Sequence, residues 1–93
     1  MLVEEPLTIV RPLQEVTVSE NQPSVLICEL NKPDVNVTWT KADEVVTTDK
    51  HVKITSAGVL HTLSIEKTTL QDEAEYTLSV GQLSTRAEIL VDG

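Results

Sequence analysis

The sequence predicts an all-β domain, built as a sandwich or a barrel of short strands. Apolar and polar residues alternate with period two in several stretches of the 93-residue chain, which is the pattern of strands buried on one face. Polar segments rich in turn-forming residues separate these stretches. Val, Leu and Ile dominate the apolar residues, beside one Trp, one Tyr and no Phe, and β-branched side chains suit a pleated sheet.

Alternation predicts four strands in the first half of the chain. They lie at residues 13–18, 24–30, 35–40 and 45–46. In the second of these, Leu26 and Cys28 fall on the inward face, so Val25 and Ile27 point outward, where a neighbour could cover them. Asn, Pro and Asp at residues 31–34 favour a turn before the third strand.

Four further strands are predicted in the second half of the chain. They lie at residues 51–55, 61–65, 76–80 and 85–91. Turns are predicted at residues 57–58 and 81–82, where Gly occurs. The segment 68–75 is too short for an independent helix. At most one helical turn is expected there, with Thr69 as its cap and Asp72 completing a capping box.

Composition excludes several classes of function. The net charge of −8 argues against nucleic acid or an anionic membrane as the main partner, because both require a basic surface. No apolar run approaches the roughly 18 residues of a membrane span. A single cysteine rules out an intrachain disulfide and a cysteine-based zinc site.

The two ends of the chain resemble each other. Residues 2–5 read LVEE and residues 90–93 read LVDG, an apolar pair followed by acidic or turn residues. This similarity predicts a module from a tandem array, with residues 1–5 as a junction to a preceding module and residues 6–93 as one domain.

Three features identify the fold more narrowly: Cys28, then Trp39, then Asp72-x-Ala74-x-Tyr76. Together they resemble the I-set immunoglobulin modules of giant muscle proteins, over essentially the whole chain. The resemblance implies an immunoglobulin-like sandwich of two antiparallel sheets with Greek-key connections. It places Cys28 on the family's strand B and Trp39 on its strand C, and it gives Asp72 and Tyr76 to the tyrosine corner.

The sequence departs from the family pattern at Leu78, where many members have a second cysteine. The resemblance therefore implies that Cys28, Trp39 and Leu78 pack as ordinary core residues, because a free cysteine behaves as a small buried hydrophobe. Leu63 and Ile65 are assigned to the same core. A missing bridge fits a reducing compartment, and the resemblance to muscle proteins then implies a location in the cytoplasm of muscle, in the sarcomere.

The resemblance also implies a mechanical site. In I-set domains the second half of the first strand pairs in parallel with the last strand, which here means residues 13–18 beside 85–91. Val16 and Val18 on one strand, and Ala87 and Ile89 on the other, are the residues assigned to this pair.

Other polar residues are interpreted as structural. His51 and His61 have no third ligand at recognisable spacing, so they are assigned to strands rather than to a metal. No nucleophile motif occurs, so no enzymatic activity and no cofactor are expected. Asn36-Val37-Thr38 satisfies the glycosylation sequon, but it is interpreted as a chance match on the outer face. The acidic residues are interpreted as solvated surface charge rather than as a calcium site.

These observations predict a structural module of a tandem immunoglobulin array in the muscle sarcomere, acting as an elastic spacer and scaffold. The expected partners are neighbouring immunoglobulin modules and sarcomeric proteins, with no nucleic acid and no membrane, and the isolated domain is expected to be a monomer. The alternative is a docking module of a cytoskeletal or signalling protein. An extracellular adhesion domain is disfavoured by the missing bridge.

Overall fold

Two packed β-sheets form the architecture of residues 6–92, the part of the chain that the computed structural model describes. A 3-10 turn at Leu70–Asp72 joins the seventh strand to the eighth. The strands are β1 (Ile9–Arg11), β2 (Val16–Ser19), β3 (Ser24–Leu30), β4 (Thr38–Lys41), β5 (Glu44–Val46), β6 (Val52–Ala57), β7 (Leu60–Ile65), β8 (Ala74–Val80) and β9 (Leu83–Asp92).

The strands divide into a four-stranded sheet in the order β1-β3-β7-β6 and a five-stranded sheet in the order β2-β9-β8-β4-β5. Every neighbouring pair is antiparallel except β2 and β9, which run parallel. The predicted all-β sandwich is therefore confirmed, and one sheet carries the parallel pair that the resemblance implied.

The core lies between the two sheets and consists mainly of alternate strand residues, as period-two alternation requires. The inward residues of β3, β7 and β8 are almost completely buried. The buried apolar residues are Leu13, Leu26, Cys28, Leu30, Trp39, Val52, Leu63, Ile65, Tyr76, Leu78, Val80, Ile89 and Val91.

The first predicted strand is wrong in its bounds. The structure has two short strands here, β1 in the four-stranded sheet and β2 in the other, and the missed β1 begins at Ile9. Residues between them cross from one sheet to the other, so they cannot join either ladder. Leu13 still buries its side chain, and its backbone N–H donates to Thr85 Oγ1 at 3.2 Å.

The third predicted strand starts later than expected. Residues 35–37 are outside any strand, and β4 begins at Thr38. Thr38 pairs with Ser79, close to the end of β8, so residues before it have little neighbouring strand left to pair with. Val35 and Val37 nevertheless pack partly buried against the core.

His51 is not a strand residue, which corrects the prediction. It lies in a bend before β6, where Asp49 Oδ1 accepts the backbone N–H groups of His51 and Val52 at 2.7 and 2.8 Å. This side-chain bond holds a turn, as Asp commonly does. The predicted turn at residues 57–58 is also shifted, because β6 continues through Ala57.

The predicted single helical turn is confirmed as Leu70–Asp72. The predicted junction at residues 1–5 lies outside the described residues, so the domain division stays a prediction. Within residues 6–92, no helix has the length and apolar character needed to cross a membrane.

Candidate mechanical site

The parallel pair formed by β2 and β9 is the candidate functional site. Its register runs from Val16 opposite Ile89 to Ser19 opposite Asp92. Because the strands are parallel, the chain enters β2 at the Val16 end and leaves β9 at the opposite, Asp92 end. Tension on the two chain ends therefore slides the strands along each other, and it stresses their hydrogen bonds together.

Hydrogen bonding shows which β2 amides face β9. The backbone N–H of Glu20 donates to the carbonyl oxygen of Asp92 at 2.9 Å. Backbone groups of alternate residues point to the same edge of a strand, so the amides of Val16 and Val18 also face β9. The amides of Thr17 and Ser19 face away from it.

The four residues assigned to the mechanical strands do not all lie in the pair. Val16 and Val18 are in β2 and partly buried, and Ile89 is fully buried opposite Val16. Ala87 precedes the paired segment, and its register partner is Tyr76 on β8. The parallel contact is therefore shorter than the predicted pairing of 13–18 with 85–91.

The predicted core residues all lie between the sheets. Trp39 is 2% exposed, and Cys28, Leu63, Ile65 and Leu78 have no measurable exposure. Trp39 on β4 lies directly opposite Leu78 on β8, which is the central strand of the five-stranded sheet. These residues support the inner face on which Ile89 packs.

Cys28 is a free and fully buried thiol. Burial raises the pKa of this thiol, so little reactive thiolate forms at neutral pH. We expect native Cys28 to react with a thiol reagent at least roughly a hundredfold more slowly than in urea, because the domain must open first. Equal rates in the native and denatured chain would contradict this, as would a melting temperature that changes with reductant.

The corner before β8 is organised by Tyr76 and Asp72. The Tyr76 hydroxyl donates to the carbonyl oxygen of Asp72 at 2.8 Å. The buried Asp72 carboxylate accepts three hydrogen bonds. The backbone N–H of Thr69 and the Nε2–H of His51 each donate at 2.7 Å, and the Thr69 hydroxyl donates at 3.0 Å. Burial alone would raise the pKa of Asp72, but these donors hold it below its ordinary value. His51 thus links the segment before β6 to the corner before β8.

Replacing Tyr76 with Phe is expected to lower the free energy of unfolding by about 1–3 kcal/mol, because the Asp72 carbonyl is left buried without its donor. Burial raises the pKa of the hydroxyl, so it stays a donor at neutral pH. Urea titration measures the change, with Tyr76→Leu reporting the additional loss of the ring. Unchanged stability in Tyr76→Phe would show that the side chain only packs.

His61 has an environment that the sequence did not reveal. It lies in β7, is 1% exposed, and its Nδ1 is 2.8 Å from Ser56 Oγ. No described residue offers a partner to its buried Nε2. Burial lowers the pKa of the imidazole, so the folded domain holds His61 neutral.

A neutral buried histidine makes stability depend on pH. The unfolded chain binds a proton near pH 6.5, and the folded chain binds it only at lower pH. The free energy of unfolding is therefore highest well above pH 6.5. It decreases as the pH falls through 6.5, by at most about 1.4 kcal/mol per pH unit. We expect this loss between pH 7 and pH 5 in urea titrations, and a flat profile for His61→Gln. A profile unchanged by the substitution would assign the loss to other groups.

Thr68 is a second residue that sequence patterns missed. It is fully buried and binds the turn after β2: its carbonyl accepts Asn21 N–H at 2.7 Å, and its N–H donates to Gln22 O at 2.9 Å. Its hydroxyl donates to Ser24 Oγ at 2.8 Å. These bonds tie the end of β2 to the corner segment, and only the folded chain brings the two segments together.

The remaining candidate sites have simple placements. Asn36 and Thr38 of the sequon are exposed, and Val25 and Ile27 are 42% and 44% exposed on the outer face of β3. Residues 6–92 contain no group of three or more His, Cys, Asp or Glu side chains arranged to hold a metal ion.

Comparison with known sequences gives a consistent family match. The family model described as the immunoglobulin I-set domain matches residues 7–91. Titin of Drosophila melanogaster is 29% identical over 92 residues, which is 99% of this chain and less than 1% of titin. Cardiac-type myosin-binding protein C of Gallus gallus is 32% identical over 74 residues, 80% of this chain and 6% of that protein. The chain thus spans a very small part of both relatives.

Comparison with solved structures also finds immunoglobulin domains. Domain I10 of titin superposes with a TM-score of 0.90 at 30% identity, covering 95% of this chain and 100% of that one. The I9–I11 tandem of titin gives 0.91 at 24% identity, covering 94% of this chain and 33% of the tandem. An immunoglobulin-like domain of human obscurin-like protein 1 gives a TM-score of 0.89 at 23% identity, covering 99% of this chain and 90% of that domain. The resemblance carried by Cys28, Trp39 and Asp72-x-Ala74-x-Tyr76 points to titin, with obscurin as the second choice, and modules of titin and of an obscurin-like protein are among the similar structures.

Proposed function

Since the chain belongs to the immunoglobulin I-set family, we propose that it is a structural module of a tandem immunoglobulin array in the muscle sarcomere, where it acts as an elastic spacer and scaffold. The observation that carries this proposal is the parallel pairing of β2 with β9. A spacer must stay folded while tension passes between its two ends, and this pair lies across that path.

The geometry of the pair determines how it resists tension. When opposite ends of two paired strands are pulled, several backbone bonds must break in one step. When the same end of both strands is pulled, the bonds break one after another at lower force. The N-terminal and C-terminal ends of this domain load β2 and β9 from opposite ends, so the first case applies.

The relatives support the muscle setting. Titin and cardiac-type myosin-binding protein C both contain segments similar to this chain, and a solved titin fragment carries modules of this fold in tandem. The proposed partners are accordingly neighbouring immunoglobulin modules and other sarcomeric proteins, in the cytoplasm of muscle cells. An I-set module serves structure or interaction, and the proposal gives it no catalytic role.

Single-molecule pulling in two directions tests the proposal. In the first geometry the chain is held at its two termini, which loads β2 and β9 in shear. In the second it is held at the C-terminus and at a cysteine in place of the exposed Gln22, just after β2, which opens the same pair from one end. Buried Cys28 does not compete for the handle. We expect a clearly higher unfolding force in the first geometry, and equal forces would reject the spacer mechanism.

The docking alternative rests on one surface feature. Val25 and Ile27 lie on the outer face of β3, beside Ser64 and Thr62 of β7, and both are more than two-fifths exposed. A double Val25→Thr, Ile27→Thr variant keeps strand propensity and removes the apolar surface. The unmodified chain would first be tested for binding to a specific muscle protein. If the double variant no longer binds that protein while its unfolding force is unchanged, the docking role is favoured over the spacer role.

A further inference from the structure

The C-terminal end of β9 extends beyond its antiparallel neighbour. The pairing of β8 with β9 runs from Val80 opposite Leu83 to Ala74 opposite Ile89. β9 then continues through Asp92 with β2 on one side and no further residue of β8 on the other. This overhanging end is also where the chain leaves the domain, and so where tension enters.

A side chain occupies the open side of this end. The backbone N–H of Val91 donates to Glu73 Oε1 at 2.9 Å. Ile89 lies opposite Ala74, and Val91 is two residues further on, so its amide points to the β8 side of the strand. Glu73 directly precedes β8, and its carboxylate thus supplies the acceptor that the next residue of a longer β8 would have offered.

The position of Glu73 is held by the corner that precedes it. Its backbone N–H donates to the carbonyl of Leu70 at 3.3 Å, and its neighbour Asp72 is bound by the Tyr76 hydroxyl and by Thr69. Val91 is 9% exposed, so its hydrogen bond with a charged acceptor is partly shielded from water. Hydrogen bonds to charged groups are stronger than neutral ones.

We infer that Glu73 is a positioning residue of the mechanical pair, whose carboxylate holds the end of β9 from the side opposite β2. The inference rests on the proposed function and names the residue that keeps its shear geometry intact. With Glu73 in place, the strand end is bonded on both sides, by β2 and by the Glu73 carboxylate. Without it, β2 alone holds the end of β9, so the bonds near Asp92 yield at a lower force and the parallel pair resists shear less well.

Constant-force pulling from the two termini compares Glu73→Ala with Glu73→Gln, which retains a side-chain oxygen as acceptor. Glu73 is exposed, so neither change leaves a cavity. We expect Glu73→Ala to unfold roughly fivefold faster, and Glu73→Gln to stay within about twofold of the unmodified chain. Glu75→Ala is the matched control: it removes the same charge from β8, where the Glu75 carboxylate forms an ion pair with exposed Arg86 at 3.6 Å and no hydrogen bond to β9 backbone among the described residues.

Amide hydrogen exchange gives a readout that a general loss of stability would not reproduce. We expect Val91 N–H to lose protection selectively in Glu73→Ala and to keep it in Glu73→Gln and Glu75→Ala. Unchanged unfolding rates in Glu73→Ala, or an equally protected Val91 amide, would overturn the inference. Failure of the proposed function is seen separately, as equal forces for the unmodified chain in its two pulling geometries.

Discussion

Replacing Trp39 with Ala is expected to lower the free energy of unfolding by about 3–5 kcal/mol, which is much of the stability of a small domain. Trp39 is 2% exposed, lies between Leu78 and Val46 in the five-stranded sheet, and is the largest of the fully buried side chains. The core has no Phe whose movement could fill the space. Urea titration followed by circular dichroism measures the loss.

Trp39→Phe separates the volume of the indole from its polar group. The indole Nε1 has no hydrogen-bond partner among the described residues, and a buried unpaired donor costs about 1–3 kcal/mol. Phe removes that donor while keeping most of the ring, so its net effect is expected to be smaller than that of Ala. A Trp39→Ala chain that loses less than about 1 kcal/mol would show that the core does not depend on this residue.

Replacing Val16 with Pro is expected to give the largest loss of mechanical resistance. Proline has no backbone N–H, and the Val16 amide faces β9. The substitution therefore removes one bond from the short parallel pair and leaves an acceptor on β9 without its donor. We expect the unfolding rate at constant force to rise roughly thirtyfold, which corresponds to a loss of about 2 kcal/mol at the barrier.

Thr17→Pro is the matched control, because it puts the same ring in the same strand at an amide that faces away from β9. β2 is an edge strand, where proline is tolerated if its nitrogen points outward. We expect Thr17→Pro to unfold within about threefold of the unmodified rate under force. Equal acceleration in the two proline variants would mean that the β2–β9 bonds are not what resists tension.

The residues predicted from sequence patterns are those whose environment is set by local alternation. β3 was predicted with the bounds that the structure has, because Leu26, Cys28 and Leu30 alternate with outward residues. The same alternation identified the inward residues of β7 and β8. The spacing of Cys28, Trp39 and Tyr76 then indicated the family, since each of these large or specialised residues has one place in its sandwich.

The strand bounds that were predicted wrongly depend on which strands become neighbours. The split of the first strand, the late start of β4 and the bend at His51 follow from where a partner strand is available. The alternation of apolar and polar residues in one segment does not show which other strand will pair with it. The parallel pairing was predicted from the resemblance, but its register, which begins at Val16 and Ile89, required the folded sheet.

The sequence by itself determined the all-β fold and the inner faces of the central strands, because burial on one face imposes a period of two, and the spacing of Cys28, Trp39 and Tyr76 indicated the family and its sandwich. Only the tertiary structure decided which polar groups meet: Glu73 with Val91, His51 with Asp72, and Thr68 with the turn after β2. Each of these contacts joins segments far apart in the chain. A hydrogen bond needs its two atoms within about 3 Å, and that distance is set by the packing of the two sheets rather than by any local pattern.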